Sequence, residues 1–498
     1  MQAAFTILIV GVHLLAGLIL AHVSAHAAAA GLSTSNATLE QGISWPIVPG
    51  HALLIGQDHQ RLMKTNNATH NASTFPTGRR QLEAQMTITN AAFLTGKHLR
   101  FYVGVGVGNR AAFMSHLTLD INAGFTWLQC RPCYPCYDQV DPIFHITGED
   151  SDSLQRVAST SPLCQHVPGR LDVPPDSDCL YHNILDQLDG SYTMGILVAD
   201  DFWMIGHASI PVQVGRSVLF GCSTSNRVPF TGPAGVLALG LNHPYAFQNQ
   251  LQASLNLPDN TFSYCLSYEK SSSFGLLTFG GPVPVGTIFT PLVTNPNPNL
   301  RHVYYVTLLG ISMGDFLLPI PPYTFDINPD TGMGGVVLAT AEAETSLPEV
   351  AYIALEQAVV AALIHIPEGR RKLELAKSAG VAEFDLCFRP IYGSRQRIVR
   401  FYQISRLFEG IPPIVFHFAG GASLEIPWRN IVVPLNRNLE KEDVAHSSER
   451  ERRLCMLVTR FEAPFLPTIL GNHLQIGTRV TIDTQNQVVG FTPRHCDT

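Results

Sequence analysis

The sequence predicts a mainly β protein made of two related lobes, and three observations support this prediction. From Phe101 onward, short apolar runs with a period of two residues are separated by Gly, Pro and Asn, as strands of half-buried sheets are. Helical patterns are few, and the same strand-and-loop pattern occurs twice along the chain, which indicates an internal duplication.

The strand prediction begins with Phe101–Gly108, where large apolar residues alternate with small ones. The same reasoning predicts strands over Ser217–Cys222, His302–Ile311, Ser423–Pro434 and Arg479–Phe491, the last broken by a hairpin turn at Thr484–Gln487. A helix is predicted over Glu349–Ile366, because apolar residues including Tyr352, Leu355, Val359 and Leu363 share one face and Pro367 follows.

The duplication consists of an apolar run that enters a loop, followed later by two apolar residues and a glycine. The first copy has Leu117–Asp120 and Ala238–Gly240, and the second has Val336–Ala339 and Ile469–Gly471. The two halves of each copy lie 120 and 132 residues apart, measured from Asp120 and Ala339 to the glycine. Such similar spacing predicts two β lobes that meet at a cleft.

Composition excludes several classes of protein. The chain has 498 residues, of which 46% are hydrophobic and only 14% charged, so it folds and is long enough for two or three units. With 32 Lys and Arg against 39 Asp and Glu, the net charge is −7, and no basic block suits a nucleic acid. The 19 histidines show no metal-ligand spacing and no phosphate-binding loop occurs, so we expect no metal and no cofactor.

The N-terminal region is typical of a secreted precursor. Residues 3–23 are almost entirely apolar and precede Ser-Ala-His-Ala, so residues 1–27 are predicted to be a signal peptide. No basic residue precedes the apolar run, which leaves an uncleaved membrane anchor as the alternative. Residues 28–97 are interpreted as a pro-segment. It carries a candidate processing site at Arg79–Arg80 and the glycosylation sequons of Asn36, Asn67 and Asn71.

Secretion sets the expectations for compartment and partners. We expect an extracellular protein, with the vacuole as an alternative destination, and no membrane contact once the signal is removed. The even number of ten cysteines is compatible with a disulfide framework in an oxidising compartment. A monomer that does not bind nucleic acid is expected.

Several further runs occur together in one order between about Phe101 and Cys496. They are Trp127–Cys130 with Cys133 and Cys136, Asp189–Thr193, Phe220–Cys222, Phe262–Leu266, Tyr304–Val306, Leu309–Ser312, Gly334–Val337, Phe416–Ala422, Ile469–Asn472 and Val489–Phe491. As a set they resemble the pepsin-like aspartic endopeptidases (peptidase A1), in the plant, nepenthesin-like branch. The resemblance implies a bilobal pepsin-like fold with a central cleft. It gives an N-terminal lobe at 98–297 with a Cys-rich insert and a C-terminal lobe at 298–498.

The resemblance also implies one catalytic Asp in each lobe, within an Asp-Thr/Ser-Gly turn, and here the sequence departs from the family. The first turn keeps Asp120 but continues with Ile121 and Asn122. In the second turn Ala339 stands where the family has its second Asp. The flap differs as well, because Gln-Leu rather than Tyr-Gly precedes Asp189.

The family's reaction needs both carboxyl groups, one ionised to activate water and one protonated to donate to the scissile carbonyl. We therefore expect an impaired peptidase with Asp120 as its remaining catalytic residue, which binds a peptide or protein through its cleft or rim. One alternative is an active endopeptidase in which Glu342 or Glu344 supplies the second acid. Another, by analogy with plant relatives, is a non-peptidase inhibitor of microbial glycosidases.

The family pattern implies a structural role for the cysteines. The pairs it implies are Cys130–Cys133, Cys136–Cys222, Cys164–Cys179, Cys265–Cys496 and Cys387–Cys455.

Overall fold

The computed structural model describes residues 84–90, 101–108, 113–186, 190–205, 211–228, 231–255, 261–267, 275–366, 373–375, 386–391, 404–436, 452–463 and 465–493. The predicted signal peptide, the three sequons and the Arg79–Arg80 pair lie outside the described residues and stay predictions. No helix in the described ranges is long and apolar enough to cross a membrane.

The described chain is mainly β, as the sequence predicts. In chain order, the strands of its first half are β1 (Ala84–Asn90), β2 (Phe101–Val107), β3 (Phe113–Asp120), β4 (Trp127–Arg131), β5 (Phe144–His145), β6 (Gln155–Arg156), β7 (Leu180–Asp186), β8 (Ser191–Ile205), β9 (Pro211–Arg227), β10 (Gly235–Ala238), β11 (Thr261–Cys265) and β12 (Gly275–Phe279).

The second half continues with β13 (Ile288–Val293), β14 (Tyr305–Val306), β15 (Leu308–Met313), β16 (Phe316–Leu317), β17 (Val336–Leu338), β18 (Thr345–Pro348), β19 (Leu373–Leu375), β20 (Cys387–Pro390), β21 (Ile414–Phe418), β22 (Ser423–Ile426), β23 (Val432–Asn436), β24 (Arg452–Met456), β25 (Val458–Phe461), β26 (Thr468–Leu470), β27 (Thr478–Asp483) and β28 (Val488–Pro493). The helices are α1 (Phe247–Leu255), α2 (Glu349–His365), α3 (Ile404–Leu407), α4 (Trp428–Ile431) and α5 (Asn472–Gln475), with 3₁₀ turns at Pro162–Cys164, Pro298–Leu300 and Ala419–Gly421.

One continuous hydrogen-bonded sheet system runs through both lobes. Strand β11 of the first half pairs antiparallel with β27 of the second, and β13 pairs with β28. Two smaller four-stranded sheets, β16-β15-β21-β22 and β19-β20-β24-β23, belong to the second half. The two lobes therefore share a sheet as well as a cleft, and their apolar side chains form one large core.

Strand β1 falls inside the predicted pro-segment, yet it belongs to this shared sheet. Residues Ala84–Ile88 pair with β12, and Ile88–Asn90 pair with β2. A strand paired on both sides satisfies the backbone donors and acceptors of both neighbours. The boundary between pro-segment and first lobe at residue 97 stays a prediction. Cleavage of the chain there would separate β1 from the rest of the first lobe.

Most predicted elements agree with the structure. The helix predicted over Glu349–Ile366 is α2, and the hairpin predicted at Arg479–Phe491 is β27–β28. The continuous strand predicted over Ser423–Pro434 is wrong, because the helical turn α4 interrupts it. Packing explains the difference: the Trp428 ring stacks on Phe408 with centroids 4.6 Å apart, and the Trp428 indole N–H donates to the Ile411 carbonyl.

The disulfides correct two predicted pairings. Cys130 bonds to Cys222 and Cys133 bonds to Cys136, so the predicted Cys130–Cys133 and Cys136–Cys222 pairs are wrong. The reason is strand register. Strands β4 and β9 run parallel with Leu128 opposite Cys222, which brings the buried Cys130 and Cys222 to a Cα separation of 5.4 Å. Cys133 and Cys136 lie beyond the end of β4.

Two other predicted pairs, Cys164–Cys179 and Cys387–Cys455, are confirmed. Cys387 and Cys455 lie directly opposite each other on β20 and β24. Cys265 is also disulfide-bonded, and its predicted partner Cys496 lies outside the described residues.

Candidate active site

Two turns emerge from equivalent positions in the two lobes. We call Asp120–Gly124 the first central turn and Ala339–Ala343 the second. The first follows β3, which pairs in parallel with β10, and the second follows β17, which pairs in parallel with β26. These are the four runs of the predicted duplication, so that part of the sequence interpretation is confirmed.

Reciprocal hydrogen bonds across the lobe junction establish which positions correspond. The Thr340 hydroxyl donates to the carbonyl of Leu119 (2.8 Å) and accepts from the backbone N–H of Ile121 (3.1 Å). In the other direction, the Asn122 side-chain amide donates to the carbonyl of Leu338 (2.7 Å). Leu119 directly precedes Asp120, and Leu338 directly precedes Ala339. Ala339 therefore occupies in the second lobe the position that Asp120 occupies in the first.

Asn122 makes a second contact with the other lobe, because its Oδ1 accepts the backbone N–H of Tyr304 (3.0 Å). Ile121 has no hydroxyl and is fully buried. A Thr at position 121 would be placed to donate to the Leu338 carbonyl, and the side-chain amide of Asn122 makes that bond instead. Sequence reasoning recorded Asn122 only as a departure from the family and missed this bridging role, for which the sequence holds no signal.

The Asp120 carboxyl group is held by its own turn. Its Oδ1 accepts the backbone N–H groups of Asn122 (2.8 Å) and Ala123 (3.1 Å). The Asp120 side chain is partly exposed, between the buried strand end and solvent. The first central turn therefore retains an oriented carboxyl group that a ligand between the lobes is able to reach.

The second central turn retains its backbone framework but has a methyl group in place of the acid. Ala339 is 1% exposed. The Gln475 amide donates to the carbonyls of Ala339 (2.8 Å) and Leu470 (3.0 Å), and the Asn472 amide donates to that of Thr340 (2.9 Å). In the first lobe the Gln248 amide donates to the carbonyls of Leu239 and Gly240, which correspond to those of Leu470 and Gly471, both acceptors for Gln475. The supports of both turns are intact.

The two glutamates suggested as a replacement acid lie on a tightly held backbone. The Glu342 carbonyl accepts the N–H of Asn472 (2.8 Å). Glu344 is only 8% exposed, and its carbonyl packs so close to Gly471 that a Cβ added there would lie 2.2 Å from it. Helix α5 and the residue before it thus fix this loop to the second lobe.

A pair of histidines lies behind the first central turn. The rings of His243 and His302 are 6.3 Å apart, and His243 packs so closely on Gly124 that a Cβ there would lie 2.7 Å from the ring. The His302 carbonyl accepts the N–H of Leu241 (2.7 Å), which ties the two lobes together. The pKa of both histidines is lowered to about 4, by burial for His302 and by burial with smaller contributions from His302 and His166 for His243.

The hairpin β7–β8 corresponds to the flap of the family, and its tip at 187–189 lies outside the described residues. At its base Tyr181 is fully buried and packs edge-on against Phe125, with centroids 5.1 Å apart. Burial raises the pKa of Tyr181, so this phenol stays protonated. The predicted difference at the flap tip stays a prediction. Across the described ranges, no cluster of three His, Cys, Asp or Glu side chains is arranged to hold a metal ion.

Comparison with known proteins agrees with this geometry. Two family models match, Xylanase inhibitor N-terminal over residues 101–281 and Xylanase inhibitor C-terminal over residues 303–493. Protein ASPARTIC PROTEASE IN GUARD CELL 2 of Arabidopsis thaliana is 30% identical over 398 residues, covering 80% of this chain and 72% of the relative. Aspartic proteinase nepenthesin-1 of Nepenthes gracilis is 28% identical over 401 residues, covering 80% and 78%.

Solved structures share the fold at lower identity. The crystal structure of edgp has a TM-score of 0.60 at 16% identity and covers 85% of this chain and 97% of its own. The crystal structure of Basic 7S globulin from soybean has a TM-score of 0.57 at 18% identity, covering 82% and 96%. With its paired lobes, its two central turns and these family matches, the chain belongs to the pepsin-like aspartic endopeptidase family, in its plant, nepenthesin-like branch.

Proposed function

We propose that this chain is a secreted member of its family that no longer cleaves peptides and instead binds a peptide or protein segment at the cleft or its rim. The observation that carries the proposal is Ala339, a buried methyl group at the position equivalent to Asp120.

The chemistry explains why one substitution has so large a consequence. Two carboxyl groups share one proton in this type of site, so that one activates water while the other donates to the carbonyl oxygen. A methyl group neither holds nor donates a proton. General acid–base steps contribute about 10²- to 10⁴-fold each, and loss of one member of a coupled unit removes most of the catalysis.

The active alternative would place its second acid on a loop whose backbone is held by α5. Glu342 lies three residues beyond Ala339, and its backbone carbonyl accepts the N–H of Asn472. Gly471 packs closely against the same loop. A working pair needs its carboxyl groups held in hydrogen-bonding geometry.

The intact framework supports a binding role. The hydrogen bonds of Thr340, Asn122, Gln248 and Gln475 keep both central turns in place although the acid pair is incomplete. The disulfides are compatible with the oxidising compartment that the N-terminal sequence predicts. A preformed cleft that retains a single oriented carboxyl group fits ligand binding better than turnover.

Panning of a displayed random-peptide library against the purified protein tests the proposal. Clones that bind in the cleft should lose at least about tenfold in affinity, or 1.4 kcal/mol, when Asp120→Arg places a long cation between the lobes. Asp315→Arg is the matched control, because Asp315 is an exposed carboxylate at the turn after β15. Absence of any clone sensitive to Asp120→Arg would count against cleft binding.

A second candidate function is inhibition of a microbial glycosidase, and the names of the two matching family models favour it. Titration of the protein into an endo-xylanase assay is the test. Saturable inhibition at one protein per enzyme would support this candidate, and unchanged activity at about ten micromolar protein would exclude an affinity tighter than that.

A further inference from the structure

We infer that the loop Cys133–Cys136, with the arginines Arg131 and Arg227 beside it, is a docking surface for an acidic protein segment. We call these residues the Tyr134 surface. The inference deepens the rim-binding part of the proposed function, because it names where the rim binds and what chemistry it selects.

Tyr134 is presented on a rigid support. It is 91% exposed, although the residues on either side of the loop are held firmly. The disulfide Cys133–Cys136 closes the loop, the Tyr134 N–H donates to the Thr224 carbonyl (2.8 Å), and the Pro135 carbonyl accepts the Asn226 N–H (2.9 Å). A loop already fixed in place loses little conformational entropy on binding.

The support continues into the interior through a buried polar network. Asn226 donates to the Gln129 side chain (3.3 Å) and accepts from Ser223 (2.5 Å). The side-chain N–H of Gln129 donates to the Tyr137 carbonyl (2.9 Å), and its Oε1 accepts the Tyr137 N–H (2.9 Å). Movement of the loop would break this network. The backbone position from which the Tyr134 ring projects is therefore fixed.

Two cations lie on the strands that adjoin this loop. Arg131 is the last residue of β4 and Arg227 the last of β9, and both are exposed. The Arg227 guanidinium lies against the turn of the β7–β8 hairpin, 3.8 Å from where a Cβ of Gly190 would stand. Arg227 pairs across the sheet with Tyr192, so the Tyr134 surface borders the flap.

Both arginines are available to a partner. Salt bridges in the described ranges join other residues, such as Arg156 to Asp178, and include neither Arg131 nor Arg227. Asp138 is an exposed acidic residue of the same segment, and its backbone carbonyl accepts the N–H of Gly232. Tyr and Arg are the residue types that supply most energy at protein interfaces, and an arginine pair favours carboxylates on the partner.

The same displayed-peptide library provides the test, with the clones sorted by the variants that abolish their binding. Clones that recognise the Tyr134 surface should bind the Tyr134→Ser protein and the Arg131→Glu/Arg227→Glu double variant at least about tenfold more weakly than wild type. The sequences of these clones should be enriched in Asp and Glu beside an apolar residue. Tyr323→Ser is the matched control, since Tyr323 is 83% exposed on the second lobe. Thermal unfolding of each variant checks that the fold is intact.

Sorting with Asp120→Arg keeps the two proposals apart. Clones of the Tyr134 surface should bind Asp120→Arg as tightly as wild type, whereas cleft clones should not. The inference would be overturned if no clone lost affinity for Tyr134→Ser, or if the clones that did lacked acidic residues. Neither outcome would bear on cleft binding, which is tested by the clones sensitive to Asp120→Arg.

Discussion

Each of the two central turns lacks a different residue of the family's Asp-Thr/Ser-Gly turn. The first keeps its acid, Asp120, but has Ile121 where a hydroxyl would bridge the lobes. The second keeps the bridging hydroxyl of Thr340 but has Ala339 in place of the acid. On the first turn Asn122 makes the bridge to Leu338 that a hydroxyl at position 121 would make.

This difference teaches that the structural and catalytic parts of the turns are separable. The bridging bonds of Thr340 are buried and those of Asn122 are partly buried. An unpaired buried carbonyl or N–H costs about 1–3 kcal/mol, so loss of a bridge destabilises the fold. With Ala339 in place of an acid, the backbone of the second turn is still supported by Gln475. Stability alone therefore accounts for retention of the framework, whether or not the site is catalytic.

Removing β1 is expected to have a large effect on stability, because the strand pairs with β2 and β12 of the first lobe. A chain beginning at His98 loses the pairing of β1 with β2 and β12, at about 1 kcal/mol net for each ladder bond, or on the order of 5 kcal/mol in total. A chain beginning at Gln81 keeps the strand. Urea unfolding of the two should show a much lower midpoint for the shorter chain, and hydrogen exchange should rise more in β3 than in β17. Equal midpoints would show that β1 is dispensable and would fit a pro-segment that ends at residue 97.

Acid should weaken the junction behind the first turn, where His243 and His302 lie. Their pKa values are lowered to about 4 in the folded state from an ordinary value near 6.5. Between these values the unfolded chain binds more protons, so stability is unaffected above about pH 6.5 and falls as pH decreases towards 4. The loss is on the order of 3 kcal/mol for each histidine.

Urea unfolding at several pH values between 7 and 4 measures this loss. In the His243→Gln/His302→Gln protein, the free energy of unfolding should decline less steeply with falling pH, because about two fewer protons are taken up on unfolding. His365→Gln is the control, because His365 is exposed at the end of α2. An unchanged slope in the double variant would contradict the burial of the pair.

Thr340→Val tests the bridge that the second turn retains. The valine leaves the Leu119 carbonyl and the Ile121 N–H buried without their partner, so we expect a loss of about 2–4 kcal/mol in the free energy of unfolding. Thr147→Val, at an exposed threonine, should change it by less than about 0.5 kcal/mol. Similar small losses in both proteins would mean that the bridge contributes little.

Asn122→Gly tests the bridge rebuilt on the first turn and should have the smallest effect. Both lost bonds are partly accessible to water, which replaces some of their energy, so about 1–2 kcal/mol is expected. Asn122→Asp keeps the acceptor for the Tyr304 N–H but removes the donor to Leu338, and it separates the two contributions. A more stable Asn122→Gly protein would show that Asn122 strains the turn rather than supporting it.

The frame of the site could be predicted from the sequence, because it depends on local patterns. The apolar runs before Asp120 and Ala339 and the glycines at 240 and 471 repeat in order, and the structure pairs them as the duplication predicts. Helix α2 was also predictable, since seventeen residues of regular spacing outweigh any single contact.

Contacts between distant segments could not be predicted in the same way. The partners of Cys130 and Cys133 depend on the parallel register of β4 and β9, which no local pattern reports. The helical turn at Trp428 depends on a ring stacked from another element. The histidine pair is 59 residues apart in sequence and meets only when the lobes do.

Peptidase activity is the measurement that tests the central claim most directly. Purified protein with a sequenced N-terminus would be assayed on a quenched fluorescent peptide library between pH 2 and 7, beside an Ala339→Asp/Asn122→Gly/Ala341→Gly protein in which the second acid and the turn glycines are restored. We expect no cleavage by the wild-type chain, and cleavage by the restored protein that Asp120→Asn abolishes. Cleavage by the wild-type chain that disappears in Asp120→Asn would contradict the account, and its further loss in Glu342→Gln would identify the unexpected acid.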